Sequence, residues 1–284
     1  MPCFAPSLLI RESAMNPPGN AETIIDGPKE GADPLFNQSL AKGLLVLRAF
    51  DLAHRTLTLG EVARLTEMSK GSAQRAVHTL EILGYIGRDE RSRHFRLLPK
   101  VVELGFNYLA SHALVRLAHP YLAQLAQASG ESASLTEPVD HHMLYVSQIM
   151  TTQSIPVLTP VGMRIPMYCT SSGRAYLSCL PEDEARRILE FSTREARTPA
   201  TLTGVEDILR RLQVSRRLGY AVNCEELFLG DMGIAAPIVD RFGQAVGAVH
   251  LSPPTSRWSL EAATSRLAPL VLECARGISE SLAH

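Results

Sequence analysis

No run of apolar residues in this chain approaches the ~20 that a membrane-spanning helix needs. Leu8, Leu9 and Ile10 form too short a stretch, with no basic residue before them, to be a signal peptide. The five cysteines, Cys3, Cys169, Cys179, Cys224 and Cys274, are odd in number, widely spaced and contain no C-x-x-C pair. That pattern argues against a disulfide framework or a zinc site and points to a reducing compartment, the cytoplasm. No G-x-S-x-G elbow surrounds Ser171 or Ser172, and there is no dinucleotide or metal fingerprint, so no cofactor is expected. His141 and His142 are adjacent, so they point different ways and make no natural metal pair.

What is present is an uneven distribution of charge. The formal net charge is −1, yet residues 39–100 hold eleven basic residues against six acidic ones. A basic segment beside an acidic remainder suggests one part that meets a polyanion and one that does not. The length suits two domains.

The stretch Ser69 to Leu83 predicts a helix with Ser69 as its N-cap. Ala73, Val77, Leu80 and Leu83 form its apolar face. Lys70, Gln74 and His78 lie on another face, with Gly71, Ser72 and Arg75 beside them. Glutamine can pair with adenine, and arginine or lysine with guanine or phosphate, so this face has the chemistry to read DNA. On this helix alone, an ordinary amphipathic surface helix remains an equal reading. Its neighbours favour DNA. Thr58 to Glu61 is a T-x-x-E capping box that starts a shorter helix through Leu65, and Thr66 to Met68 make a tight turn, giving the helix-turn-helix arrangement. After Gly84, a hairpin carries Arg88, Arg91, Arg93 and Arg96 around its tip, where they can grip phosphate or reach a minor groove.

The rest of the chain follows the same local logic. Residues 1–38 are broken by Pro2, Pro6, Pro17, Pro18, Pro28 and Pro34 and read as a disordered tail. Ser39 to Ala53 reads as a helix with Leu40, Leu44 and Leu47 inward. Pro99 opens another helix, with an apolar stripe to about Ala110, that joins the two halves. Leu114 to Ser129 is helical and ends at Gly130. Strands follow at Ser132 to Pro138, Leu144 to Gln148 and Ile155 to Leu158. Helices are expected at Gly173 to Leu180, Glu182 to Phe191, Val205 to Leu218 and Ser259 to Leu282. Strands are expected at Tyr220 to Asn223, Ile234 to Asp240 and Ala245 to Ser252. Mixed helices and hairpins imply an α+β fold with an antiparallel sheet, not a doubly wound one.

Five stretches in order, SKGSAQRAVHTLEILGYI, HFRLLPKVVELG, PMYCTSSGRAYLSCLP, GYAVNCEELFLGDMGIAAPIVD and GAVHLSPP, resemble the IclR family of bacterial transcription factors. The resemblance runs from about Ser39 to Leu282. It implies a winged helix-turn-helix over 39–98, a linker helix over 99–112 and an effector-binding, GAF-like antiparallel-sheet domain over 113–284. It also implies homodimers or homotetramers on palindromic operators. The chain departs from the family at Glu67, where the turn usually has glycine, and at Leu98-Pro99, where Leu-Gly is usual.

Carried over by motif position, the effector pocket falls on Val157, Ile165, Ser171, Ser172, Asn223, Gly233, His250 and Ser252. His250 and Ser252 are two apart on a strand and face the same side. Hydroxyls at a helix start, His250 and Asn223 offer donors, and Val157 and Ile165 an apolar wall, so the expected effector is a small carboxylate such as an aromatic or keto acid. Two plainer readings stand beside this: Ser171 and Ser172 as helix caps, and His250 as a core histidine satisfied by backbone. Other functions weighed are a thiol enzyme pairing Cys169 with His250 and a sensor whose winged helix contacts protein instead of DNA.

Overall fold

The computed structural model describes residues 33–151 and 159–283. The expected strand at 155–158, Val157 with it, lies outside the described residues, as does most of the proline-rich N-terminal stretch. The chain forms two compact units, one ending at Phe106 and one beginning at Asn107. Among the described residues, no helix is long and apolar enough to cross a membrane.

The first unit contains α1 (Gln38–Arg48), α2 (Leu59–Leu65), α3 (Lys70–Ile82), β1 (Ile86–Arg88) and β2 (Phe95–Leu97). Thr58 and Glu61 close the expected capping box: the Thr58 side chain accepts from the Glu61 N–H, and Glu61 accepts from the Thr58 N–H. Glu67 takes a left-handed φ of 54°. The Met68 N–H returns to the Ala63 carbonyl at 3.0 Å, so the helix closes as it would around a glycine. Ser69 caps α3, whose buried residues are Ala73, Val77 and Leu80. Leu83 departs from the expected face. It is the C-cap and 49% exposed, and its carbonyl accepts from Lys100 Nζ at 3.0 Å.

In α1 only Leu47 of the expected face packs against the unit's core. Val46, Ala49 and Phe50 are buried, while Leu40 and Leu44 are 64% and 50% exposed. The helix also stops at Arg48 instead of running to Ala53. Asp51 explains the early end: its Oδ1 accepts from the Ala53 and His54 N–H groups at 2.8 and 2.6 Å, a local turn that competes with helix. The short helix carries two apolar stripes, and packing against α3 selects the second.

Helix α4 (Val101–Ser111) spans the division between the units, and none of its residues is buried. The second unit then adds α5 (Ala113–Ser129), β3 (Ala133–Val139), β4 (His142–Ile149), β5 (Arg164–Pro166), α6 (Ser171–Leu177), α7 (Glu182–Phe191), α8 (Val205–Leu218), β6 (Ala221–Cys224), β7 (Met232–Val239), β8 (Ala245–Leu251) and α9 (Leu260–Ala283). Six strands form one antiparallel sheet in the order β5-β4-β3-β8-β7-β6. Strand β5 was not legible in the sequence, because three residues between Gly162 and Met167 with a proline carry no alternation to read.

The sheet is covered on both faces. Leu135, Ile234, Ala236, Val249 and Leu251 pack against α5 and α9 in one apolar cluster. Tyr145, Ala235 and Ala248 face the α6, α7 and α8 side in another. This alternation puts the odd-numbered residues of β6 and β7 and the even-numbered residues of β8 on the α6 face. Asn223, Gly233 and His250 therefore share one side of three neighbouring strands.

Candidate nucleic-acid interface and effector pocket

In the first unit, Lys70, Gln74, Arg75 and His78 are all exposed on α3. Ser72 is half-buried, and its hydroxyl turns back to Met68 Sδ at 3.8 Å. Arg88, Arg91 and Arg93 are exposed on the β1–β2 hairpin. The tip is shaped by Asp89, whose Oδ1 accepts from the Arg91 N–H, the Ser92 N–H and the Ser92 hydroxyl at 3.0, 2.7 and 3.0 Å. Arg88 lies over the Phe95 ring, 5.5 Å from its centre. Among the described residues, no carboxylate forms an ion pair with Lys70, Arg75, Arg88, Arg91 or Arg93. The long polar arms of one helix and one hairpin thus stand in solvent with their charge unmatched, the arrangement that phosphates and base edges require.

In the second unit, the sheet face under α6 holds a small pocket. Ile165, Asn223 and His250 line it, together with Tyr145, Asp231, Leu227 and Phe228. Its free space is about that of one water molecule. Gly233 is the point of convergence. A Cβ there would lie 2.4 Å from Asn223 Oδ1, 2.5 Å from Ser171 Oγ and 2.8 Å from His250 Nε2. Only a residue without a side chain lets these three polar atoms approach one another.

The structure differs from the two plainer readings in the partners involved. The cap of α6 is Thr170, whose side chain accepts from the Gly173 N–H at 3.2 Å. Ser171 and Ser172 are fully buried, and among the described residues neither hydroxyl has a hydrogen-bond partner. The Ser171 N–H is taken, donating to Asn223 Oδ1 at 3.1 Å. His250 meets side chains, not backbone: its Nδ1 lies 3.2 Å from Ser252 Oγ and 3.4 Å from the Tyr145 hydroxyl. Cys169 sits in the apolar cluster, and burial pushes its thiol up to about 12, so it holds no thiolate at neutral pH for catalysis.

Sequence reasoning missed Tyr145 and Asp231 as pocket residues. Tyr145 follows from the alternation of β4. An acid directly after Gly230 reads as a solvated turn, and nothing local marks Asp231 as buried. Burial raises its carboxyl to about 6 against the pull of the Asn223 amide, while burial lowers His250 to about 4. His250 is therefore neutral at pH 7.

These two shifts act on stability in opposite senses. Between the ordinary 3.8 and about 6, folded Asp231 keeps a proton that the unfolded chain has released, so its contribution falls as pH rises. Between about 4 and the ordinary 6.5, the unfolded chain takes a proton that folded His250 refuses, so that contribution rises with pH. Asp231→Asn removes only the first. The variant is expected to exceed the parent by about 1–3 kcal/mol above pH 7, with the gain vanishing as the pH falls toward the ordinary carboxyl value of 3.8. Urea unfolding across that range measures it, and a gain that grows on acidification would contradict the assignment.

Comparison with known proteins follows these features closely. Residues 39–90 match the IclR helix-turn-helix domain, and residues 106–280 match the family described as bacterial transcriptional regulator IclR C-terminal. The chain is 35% identical over 251 residues to the Pca regulon regulatory protein of Pseudomonas putida, a match covering 88% of this chain and 86% of that one. It is similar to the crystal structure of an IclR family transcriptional regulator from Brucella abortus, with TM-score 0.77 and 26% identity, covering 90% of this chain and 97% of that one. An IclR homologue from Microbacterium hydrocarbonoxydans, crystallised with 4-hydroxybenzoate, shares the fold at TM-score 0.70 and 24% identity, over 86% of this chain and 98% of that one.

Proposed function

Because the chain belongs to the IclR family of bacterial transcriptional regulators, we propose that it is a cytoplasmic regulator whose second unit senses a small carboxylate and thereby changes its grip on an operator. Its relatives are named as regulators and repressors, not enzymes. The reading rests chiefly on the exposed, unpaired Gln74 and Arg75 of α3 beside the basic hairpin. Residues 39–98 would dock on DNA, with Lys70, Ser72, Gln74, Arg75 and His78 in the major groove and Arg88, Arg91 and Arg93 on flanking phosphate. Residues 99–112 would transmit, and residues 113–284 would sense.

The effector end is supported by the two partnerless hydroxyls of Ser171 and Ser172, with His250, Asn223 and Ser252 beside them and Ile165 as apolar wall. Val157 belongs to the same set by motif position. An aromatic or keto acid would place its carboxylate on the hydroxyls and His250 and its body on the wall. The pocket has room for about one water molecule, so the acid would select a more open form. Only its difference in affinity between the two forms can move the DNA-binding units. A palindromic operator would be read by a homodimer or homotetramer. Leu40, Leu44, Val102, Leu104 and Phe106, all exposed in the first unit, are apolar surface that a second copy could cover.

A paired experiment tests both ends. Arg75→Ala is expected to weaken binding to the chain's own promoter fragment by about 1–3 kcal/mol, with a steep salt dependence in the parent. His250→Ala is expected to bind that fragment as the parent does, yet to lose the rise in melting temperature that a small acid causes. 4-Hydroxybenzoate is one member of the panel to try. Undiminished binding by Arg75→Ala would remove α3 as the reading helix.

A further inference from the structure

Two buried acids lie five residues apart in the segment between β6 and β7, and the fold treats them differently. Glu226 is 8% exposed, and Arg174 meets it with both guanidinium nitrogens, Nη1 to Oε1 at 2.6 Å and Nη2 to Oε2 at 2.5 Å. Asp231 is equally buried, at 8% exposed, and lines the pocket. Among the described residues no cation pairs with it. Among the described residues one side-chain donor reaches it, the Asn223 amide, at 3.2 Å from Oδ2. The same amide accepts from the Ser171 N–H through its oxygen, so Asp231 is held in orientation relative to α6.

A carboxylate removed from water with a single amide donor is poorly satisfied, and its remaining lone pairs want a donor. The neighbouring α6 start has the reverse need: Ser171 Oγ, which converges with Asn223 Oδ1 and His250 Nε2 at Gly233, and the Ser172 hydroxyl have no partner among the described residues. A ligand that satisfies both must itself be polarised, with an acceptor toward the hydroxyls and a donor toward Asp231.

Resting on the effector-site reading above, we propose that Asp231 selects the effector: a small acid bearing a hydroxyl, or another hydrogen-bond donor, at the end turned to Asp231. A dicarboxylate of the same size is rejected, since its second carboxylate would face a buried acid with no cation between them. Burial also raises the Asp231 carboxyl to about 6, which marks how poorly its surroundings support its charge.

The test uses the full chain and matched probes: para-hydroxybenzoate against terephthalate, and γ-hydroxybutyrate against succinate, by calorimetry and thermal shift at neutral pH. The parent is expected to prefer the hydroxy acid of at least one pair by about tenfold or more, since the donated bond is to a charged group. Asp231→Asn keeps the shape and the Asn223 contact, and it should bring each pair close to parity. If Asp231→Asn does not fold, the parent's ratio alone decides. Equal or tighter binding of the dicarboxylates by the parent overturns the proposal, as does an undiminished preference in Asp231→Asn. A parent that responds to no acid in the panel, while still binding its promoter fragment, overturns the effector-site reading and the proposal with it.

Discussion

Gly173→Ala is expected to unfold the second unit. Gly173 lies in α6, and a Cβ there would sit 2.2 Å from Met167 Cα, 2.4 Å from Met167 O and 2.6 Å from Met167 C. All three are backbone atoms, so no side-chain rotamer relieves the clash. The Met167 segment cannot step aside cheaply. Thr170 Oγ1 donates to the Pro166 carbonyl at 2.6 Å, Arg174 Nε donates to the Tyr168 carbonyl at 3.1 Å, and β5 is paired with β4. The cost should exceed about 4 kcal/mol, the exceptional end of single substitutions. The chain's single tryptophan, Trp258, lies in this unit. Its fluorescence in a urea titration therefore reports this unit and not the DNA-binding one. A midpoint equal to that of the parent would show that the close approach of α6 to the Met167 backbone is wrong.

The second large effect is expected from Arg174→Met. Arg174 is 1% exposed and is the largest fully buried side chain among the described residues. Its removal leaves the Glu226 carboxylate buried without its cation, a loss of about 3–5 kcal/mol. Among the described residues, Glu226 Oε2 would retain the Leu202 N–H at 3.4 Å. The double variant Arg174→Met, Glu226→Leu separates charge from shape. Replacing both partners with apolar groups of similar size removes the stranded charge, so the double variant is expected to be more stable than the single one. If the double falls further, the pair acts through packing and not through its charges. The ion pair also ties the segment between β6 and β7 to α6. Loosening it should disturb the positions of Asn223 and Asp231, and hence weaken any effector response, before it touches α3.

Much of this architecture is written in short-range terms. Thr58 and Glu61 are three residues apart and form their capping box from any chain that brings them into a first turn. Gly130 and Gly219 take φ of 71° and 77° at the ends of α5 and α8, where a left-handed residue closes a helix. The exposed face of α3 follows from the spacing of Ala73, Val77 and Leu80, which bury the opposite side. In α1 the same reasoning placed Leu40 and Leu44 inward, where only Leu47 of that stripe packs, because periodicity says that a face is apolar but not which part of it meets a neighbour.

What could be read from the residues in order was where most helices lie and how several are capped, which side of α3 faces outward, and that an antiparallel sheet follows a basic segment. All of these depend on contacts within a turn or a hairpin. What waited on the folded chain was the pocket. Asn223, Gly233 and His250 meet because β6, β7 and β8 are neighbours, with Asn223 opposite Gly233 and Ala235 opposite His250. Arg174 meets Glu226 across 52 residues of chain. The burial of Asp231, on which ligand choice is argued to turn, is likewise a property of what packs over it and not of its neighbours in sequence.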